Sequence, residues 1–245
     1  LGSATDQVPT AVVSVENSEP RVLIEPACFG IPVRLGAAKP PLPVRLGARH
    51  SEALSELVPL LLCGEESAVL SFARYGSSVL LGASGRRDFQ SLQADEVSHA
   101  RYLQSLRGSL PVPRSDARQR ARLRRFYARL SDLNFGDHLA RIAALDSAVC
   151  FILGALRQRR GPIAKDAVVE RLFGRIHEDE ARHVTIASRY AVIFGKPQDL
   201  YSVAAGTRDQ LAAILSERAG AFESLGVCAD RLLHRVRSLP QNLFA

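Results

Sequence analysis

Two pentapeptides in this sequence have residue types and spacing that could do chemistry: Asp95-Glu96-Val97-Ser98-His99 and Asp179-Glu180-Ala181-Arg182-His183. Each reads Asp-Glu-x-x-His and sits in a stretch whose apolar residues recur at helical spacing. Leu92, Glu96, His99 and Leu103 share one stripe; Phe173, Ile176, Glu180, His183 and Ala187 share another. On a helix, positions i and i+3 project from one face, one turn apart. A carboxylate and an imidazole placed this way can bind one metal ion together. An ionised Glu on a core-facing stripe is otherwise costly, by several kcal/mol when unpaired. Chance supplies roughly 0.3 Glu-x-x-His pairs in a chain of this length and composition, so two are unusual.

The Asp that precedes both glutamates sharpens the reading. A metal-bound imidazole usually donates its other N–H to a carboxylate, which fixes its tautomer. If the two helices pack side by side, Asp95 can orient His183 and Asp179 can orient His99. A pair of metal ions in a helical bundle needs one more carboxylate from each of two other helices. Glu65 and Glu66 lie upstream of Glu96. Glu65 falls on the stripe of Val58, Leu61, Leu62, Val69 and Phe72 and is the preferred ligand, with Glu66 a supporting neighbour. Asp146 lies upstream of Glu180, a lone acid on the stripe of Leu139, Ile142, Val149 and Leu153. The expected metal ligands are therefore Glu65, Glu96, His99, Asp146, Glu180 and His183. The bland alternative is a pair of satisfied Glu–His contacts in a helical core.

The elements that must position these residues are helical. Ser51 is a plausible N-cap for a first helix to about residue 81, with Pro59 kinking it or setting its start. A second is expected over about 86–106 and an arginine-rich one over about 116–133. Further helices are expected over about 137–159, 164–194 and 207–238. Upstream, Val12–Val15 and Arg21–Ile24 could be short strands or extended arms. Pro-Val-Arg-Leu-Gly-Ala occurs at 32–37 and again at 43–48. The division expected is an extended arm at 1–48, a four-helix bundle at 49–195 and a C-terminal helical extension at 196–245. Long amphipathic segments in succession, with no strands between them, argue for an all-α bundle.

This pattern resembles the ferritin-like di-iron carboxylate superfamily over about residues 51–195. The resemblance is strongest to the oxygen-activating branch, which includes ribonucleotide reductase small subunits, multicomponent monooxygenases, desaturases and arylamine N-oxygenases. Asp-Glu-Ala-Arg-His at 179–183 is the most family-like string. Two departures stand out. Asp146 replaces the commoner Glu, and His177 lies one residue away from the offset at which some N-oxygenases carry an extra ligand, so His177 is not counted. The resemblance implies a ferritin-like four-helix bundle holding two Fe ions (Fe2+/Fe3+), with Mn as the alternative metal. It implies an oxidoreductase that activates O2 to hydroxylate, N-oxygenate or desaturate a small organic substrate, served by an external electron donor. Iron handling by a ferroxidase, or a di-iron hydroxylase acting on tRNA, are the alternatives.

At 245 residues, with 47% apolar and 23% charged residues, the chain suits one large globular domain with appendages. The net charge of +7 comes almost entirely from arginine. Arg114, Arg118, Arg120, Arg122, Arg124 and Arg125 could dock an acidic carrier protein or RNA, or simply form a solvated face. Tyr75, Tyr102 and Tyr190 read as core or interface aromatics, and His50, His138 and His234 as incidental. Cys28, Cys63, Cys150 and Cys228 read as reduced, mostly buried thiols. Without a signal-peptide pattern or an uninterrupted apolar span, a cytoplasmic homodimer off the membrane is expected.

Overall fold

The computed structural model describes residues 42–112, 117–130, 134–238 and 240–245. The described residues are all-helical, with no strand among them. The helices are α1 (Ala48–Gly76), α2 (Ala83–Arg107), α3 (Ala117–Ala128), α4 (Phe135–Leu156), α5 (Ala167–Phe194), α6 (Pro197–Leu215), α7 (Ala219–Ser224) and α8 (Ala229–Arg237). The possible strands and the first copy of the repeated hexapeptide lie outside the described residues. The second copy leads into α1, where Gly47 is the N-cap.

Local chemistry explains most of the boundaries. Asn134 Oδ1 accepts from the Asp137 backbone N–H and opens α4. Asp166 Oδ1 accepts from Val168 and Val169 and opens α5, after a 3-10 turn at Ile163–Lys165. Asp166 Oδ2 also accepts from the Arg45 backbone N–H at 2.6 Å, tying the lead-in of α1 to the start of α5. Ser51 does not cap α1. It lies inside the helix, its hydroxyl donates to Leu46 O, and α1 runs on through Pro59. The long C-terminal helix expected from about residue 207 is instead three helices. Pro197 starts α6 ten residues earlier, its fixed φ suiting the first turn. Gly226, at φ +79, takes the left-handed turn before α8.

α1 packs along α2, α4 along α5, and α2 against α5; α6 and α8 lie on α4, while α3 and α7 lie on α1. Contacts run from Asp88–Tyr190 through Asp95–Arg182 to Asp179–His99, so α2 and α5 are antiparallel. At one end, the start of α4 presses on the end of α5. A methyl group on Gly136 would overlap the Gly195 backbone, so only glycine permits that approach.

The interior has two apolar cores. One joins Leu54, Leu62, Leu103, Leu153, Phe173 and Phe222; the other joins Phe72, Phe89, Leu139, Ala143, Ala187 and Leu200. Glu65, Glu96, His99, Asp146, Glu180 and His183 form a polar layer between them. Residues of α6–α8 contribute to both cores, so this region shares the bundle's interior.

α4 corrects one reading of the sequence. It is long and apolar enough to cross a membrane by length and composition, with a mean hydropathy of 1.9 over its most apolar window. Of that window, 61% is buried inside the protein. The cysteines need a second correction. Cys63 is disulfide-bonded, Cys150 is a half-buried thiol and Cys228 an exposed one. The chain therefore does not carry four reduced thiols, and its cysteines give no support to a cytoplasmic setting.

Candidate metal centre

Each of four helices delivers acid or imidazole groups to the layer between the cores. α1 brings Glu65, α2 brings Glu96 and His99, α4 brings Asp146, and α5 brings Glu180 and His183. Both histidines are fully buried, and Glu65, Glu96 and Glu180 nearly so. Nδ1 of His99 lies 3.3 Å from Glu65 Oε2, 3.5 Å from Glu180 Oε1 and 3.6 Å from Glu96 Oε2. Nδ1 of His183 lies 3.1 Å from Glu96 Oε1 and 3.7 Å from Glu180 Oε2. Each of the two central glutamates thus offers one oxygen to each histidine. The imidazole centroids are 5.9 Å apart.

Two groups of potential ligands result: Glu65, Glu96, His99 and Glu180, and Asp146, Glu180 and His183. In each group the ligand atoms lie within 4.8 Å of one another. Glu66 is also buried but belongs to neither group.

The far nitrogens of both histidines are oriented from the opposite helix. His99 Nε2 is 3.0 Å from Asp179 Oδ2, and His183 Nε2 is 3.4 Å from Asp95 Oδ2. Arg182 donates to Asp95 and lies 3.6 Å from Asp179 Oδ1, so one guanidinium holds both orienting carboxylates. Arg182 belongs to the Asp-Glu-Ala-Arg-His string, but nothing in the string itself marks its clamping role.

The donor set fits metal ions. With their Nε2 atoms engaged by aspartates, both histidines aim Nδ1 at the carboxylates. Yet neither Nδ1 makes a hydrogen bond, and nor does the buried Asp146 Oδ2. Buried polar atoms without partners are rare and ask for an explanation such as an ion. Two atoms bound at about 2.1 Å to one ion, at right angles, lie about 3 Å apart. The Nδ1–carboxylate distances of 3.1–3.7 Å approach that spacing. The buried Glu/His group can therefore hold a metal ion.

Without a cation, protons must hold the cluster together. Burial pushes the Glu65 carboxyl well above its ordinary range, helped by the adjacent Glu96 carboxylate. Burial and then the Glu180 charge push Asp146 up as well. Burial also works to raise Glu96, but the adjacent Glu65 carboxyl and the two nearby imidazoles outweigh it and hold that carboxyl low. For His99, burial works against the charged form, but Glu65 and the other glutamates prevail and raise it. His183 is raised in the same way by Asp95, Glu180 and Glu96.

A narrow cavity of about 80 Å³ opens onto the cluster between α1 and α4. Its walls are mostly apolar, including Leu61, Ala68, Ile142 and Val149, and they reach Glu65, Glu96, Asp146 and Glu180. Tyr127, on α3, faces the same cavity. Burial and the charges of four surrounding carboxylates push its hydroxyl up. Nothing local marked Tyr127 in the sequence. A methyl at Gly64 would lie 3.0 Å from its hydroxyl, so the glycine before Glu65 makes room for it. His138, read as incidental, is buried, lines the cavity and is hydrogen-bonded through Nδ1 to Tyr75. His177 faces a separate groove on the far side of α4 and α5. The side chains of Arg114, Arg118 and Arg120 lie outside the described residues, while Arg122 is ion-paired with Glu217.

No family model, curated protein or solved structure matches the chain.

Proposed function

We propose that the chain is a ferritin-like four-helix protein holding two iron ions and acting as an O2-dependent oxidoreductase. The observation that carries this reading is the arrangement of Glu96 and Glu180. Each sends one oxygen to each histidine, so both carboxylates would help to hold ions together with His99 and His183. Glu65 and Asp146 would complete the two ligand groups. Four carboxylates and two imidazoles favour Fe(II) or Mn(II) over a thiolate-type structural site.

Such ions, when bound and reduced, would supply electrons for activating O2; the chain supplies placement and shelter. Asp95 and Asp179 hold the imidazoles in one tautomer, with Nδ1 free to ligate. Two apolar cores above and below the layer exclude water. The cavity between α1 and α4 admits the part of a small organic substrate that reacts, and its apolar lining suits hydrocarbon rather than charge. Tyr127, its hydroxyl kept neutral by burial and the surrounding acids, faces the same cavity as the carboxylates. Electrons come from an external donor.

Metal analysis with O2 addition to the ferrous protein tests the reading. About two irons per chain and a transient visible band on mixing with O2 are expected. Steady mineral growth would instead mark an iron-storage protein, and no iron uptake would refute a metal centre. Glu180→Ala should lose metal from both sides at once; full iron content in that variant would overturn the ligand assignment.

A further inference from the structure

A groove of about 560 Å³ lies on the far side of α4 and α5 from the substrate cavity, closed by the loop before α8 and by α8 itself. Its size falls within the range of small-molecule sites. Arg231 and Arg235, one turn apart on α8, both line it, and neither guanidinium has a carboxylate partner among the described residues. Gln158, just past the end of α4, and His177, on α5, add polar groups. Among the described residues no acid lines the groove, although the chain has 25. The Phe151 ring lines the groove, with the Arg235 guanidinium 5.0 Å and the Arg208 guanidinium 5.6 Å from its centroid, and adds an aromatic edge to it. At Gly154 an added methyl would meet nothing within 4 Å, so the space above the helix is open.

We propose that this groove binds a planar organic anion of the mononucleotide kind, with its anionic group on Arg231 and Arg235 and its ring near Phe151. Two forked guanidiniums suit a phosphate, and an aromatic ring suits a flat heterocycle. The proposal goes beyond the metal reading and does not depend on it. The two are spatially related, because Cys150 lies one turn after Asp146 and His177 lies just before Glu180. A ligand in the groove would sit against the outer wall of the two helices that carry those carboxylates.

The test uses the full metal-free chain, with flavin mononucleotide as the probe and its fluorescence as the readout. Flavin mononucleotide should bind and weaken with added salt. Riboflavin, which lacks the phosphate, and pyrophosphate, which lacks the ring, should each bind about tenfold more weakly or worse. Arg231→Ala combined with Arg235→Ala should weaken binding by at least about tenfold. Gly154→Leu fills the open space on an exposed helix position, favours the helix and should abolish binding. A second readout locates the ligand. Cys228 is exposed at the rim, whereas burial and the nearby Glu180 and Asp146 charges push the Cys150 thiol up to about 12. Bound flavin mononucleotide should therefore slow alkylation of Cys228. Absence of binding, or equal binding by the wild type and the variants, would overturn the proposal.

Discussion

Nε2 of His99 lies 3.0 Å from Oδ2 of Asp179, a carboxylate that stands next to Glu180 on the opposite helix. One helix thus provides a potential ligand and, one residue away, the group that orients its neighbour's ligand. Asp179→Asn removes that charge with little change of shape. Metal affinity on the His99 side should fall about 10- to 100-fold, while the metal-free fold remains intact. Titration with Fe(II) or Mn(II) under anaerobic conditions measures it, and unchanged affinity would count against an orienting role.

Asp146 has the opposite profile, because its Oδ2 is buried without a hydrogen-bond partner. Asp146→Asn should reduce the metal content from two ions towards one per chain. The same change removes an acid that resists ionisation where it lies, so the metal-free variant should melt at or above the wild-type Tm. Elemental analysis and thermal unfolding of one preparation give both numbers. Loss of stability with retained metal would contradict the assignment.

The pH dependence should reverse sign on metal loading. In the metal-free chain the His99 and His183 imidazoles are raised, as are the Glu65 and Asp146 carboxyls. For each raised group the folded chain holds a proton that the unfolded chain releases, so stability falls as pH rises. That loss begins near pH 4 for the carboxyls and near about pH 6.5 for the imidazoles. Glu96, held low, contributes the other way only below about pH 4.3. Metal-free Tm should therefore drop between about pH 5 and about pH 9. Metal must displace the same protons, so affinity should climb over that interval and uptake should acidify a weakly buffered solution. A pH-stat titration that records no proton release would contradict the picture.

Arg208 supplies a prediction about the fold alone. Its side chain is fully buried and carries no carboxylate partner among the described residues; it donates to Ala144 O, Ser147 Oγ, Arg235 O, Val236 O and Ser238 O. Burial lowers it to about 10, so it stays charged at neutral pH. It joins α6 to α4 and caps the carbonyl end of α8. Arg208→Met leaves those carbonyls without their donor and should cost about 3 kcal/mol. Arg208→Lys should not restore it, because a single ammonium cannot span five acceptors. Urea unfolding of both variants decides this, and a loss under about 1 kcal/mol would show the carbonyls finding other donors.

How much of this was legible in the sequence depended on range. Glu96–His99 and Glu180–His183 could be read because three-residue spacing on a helix is local geometry. Asp146 could be read because a single acid on an apolar stripe is conspicuous, and Glu65 because, of two adjacent acids, it is the one that falls on the stripe. Arg182, Tyr127, His138 and Arg208 could not, because their partners lie on other helices and no local pattern distinguishes a clamping arginine from a solvated one. The C-terminal region was misread for a related reason. Its helical periodicity continues past Gly220 and Gly226, and only packing on α1 and α4 decides where the chain turns. The Asp166 cap was hidden because Gly161-Pro162 already accounts for a break just before it.

The layer of acids and imidazoles also partitions the molecule. Hydrocarbon fills the interior at both ends, but in the middle the four helices converge on buried carboxyls that repel one another unless protons or ions lie between them. Stripping the ions from a loaded chain should therefore loosen the waist before either end. Backbone amides beside Glu65, Glu96, Asp146 and Glu180 would exchange with solvent deuterium sooner than those flanking Leu54 or Phe89. The protein would then weaken from its centre outward, the reverse of ordinary fraying.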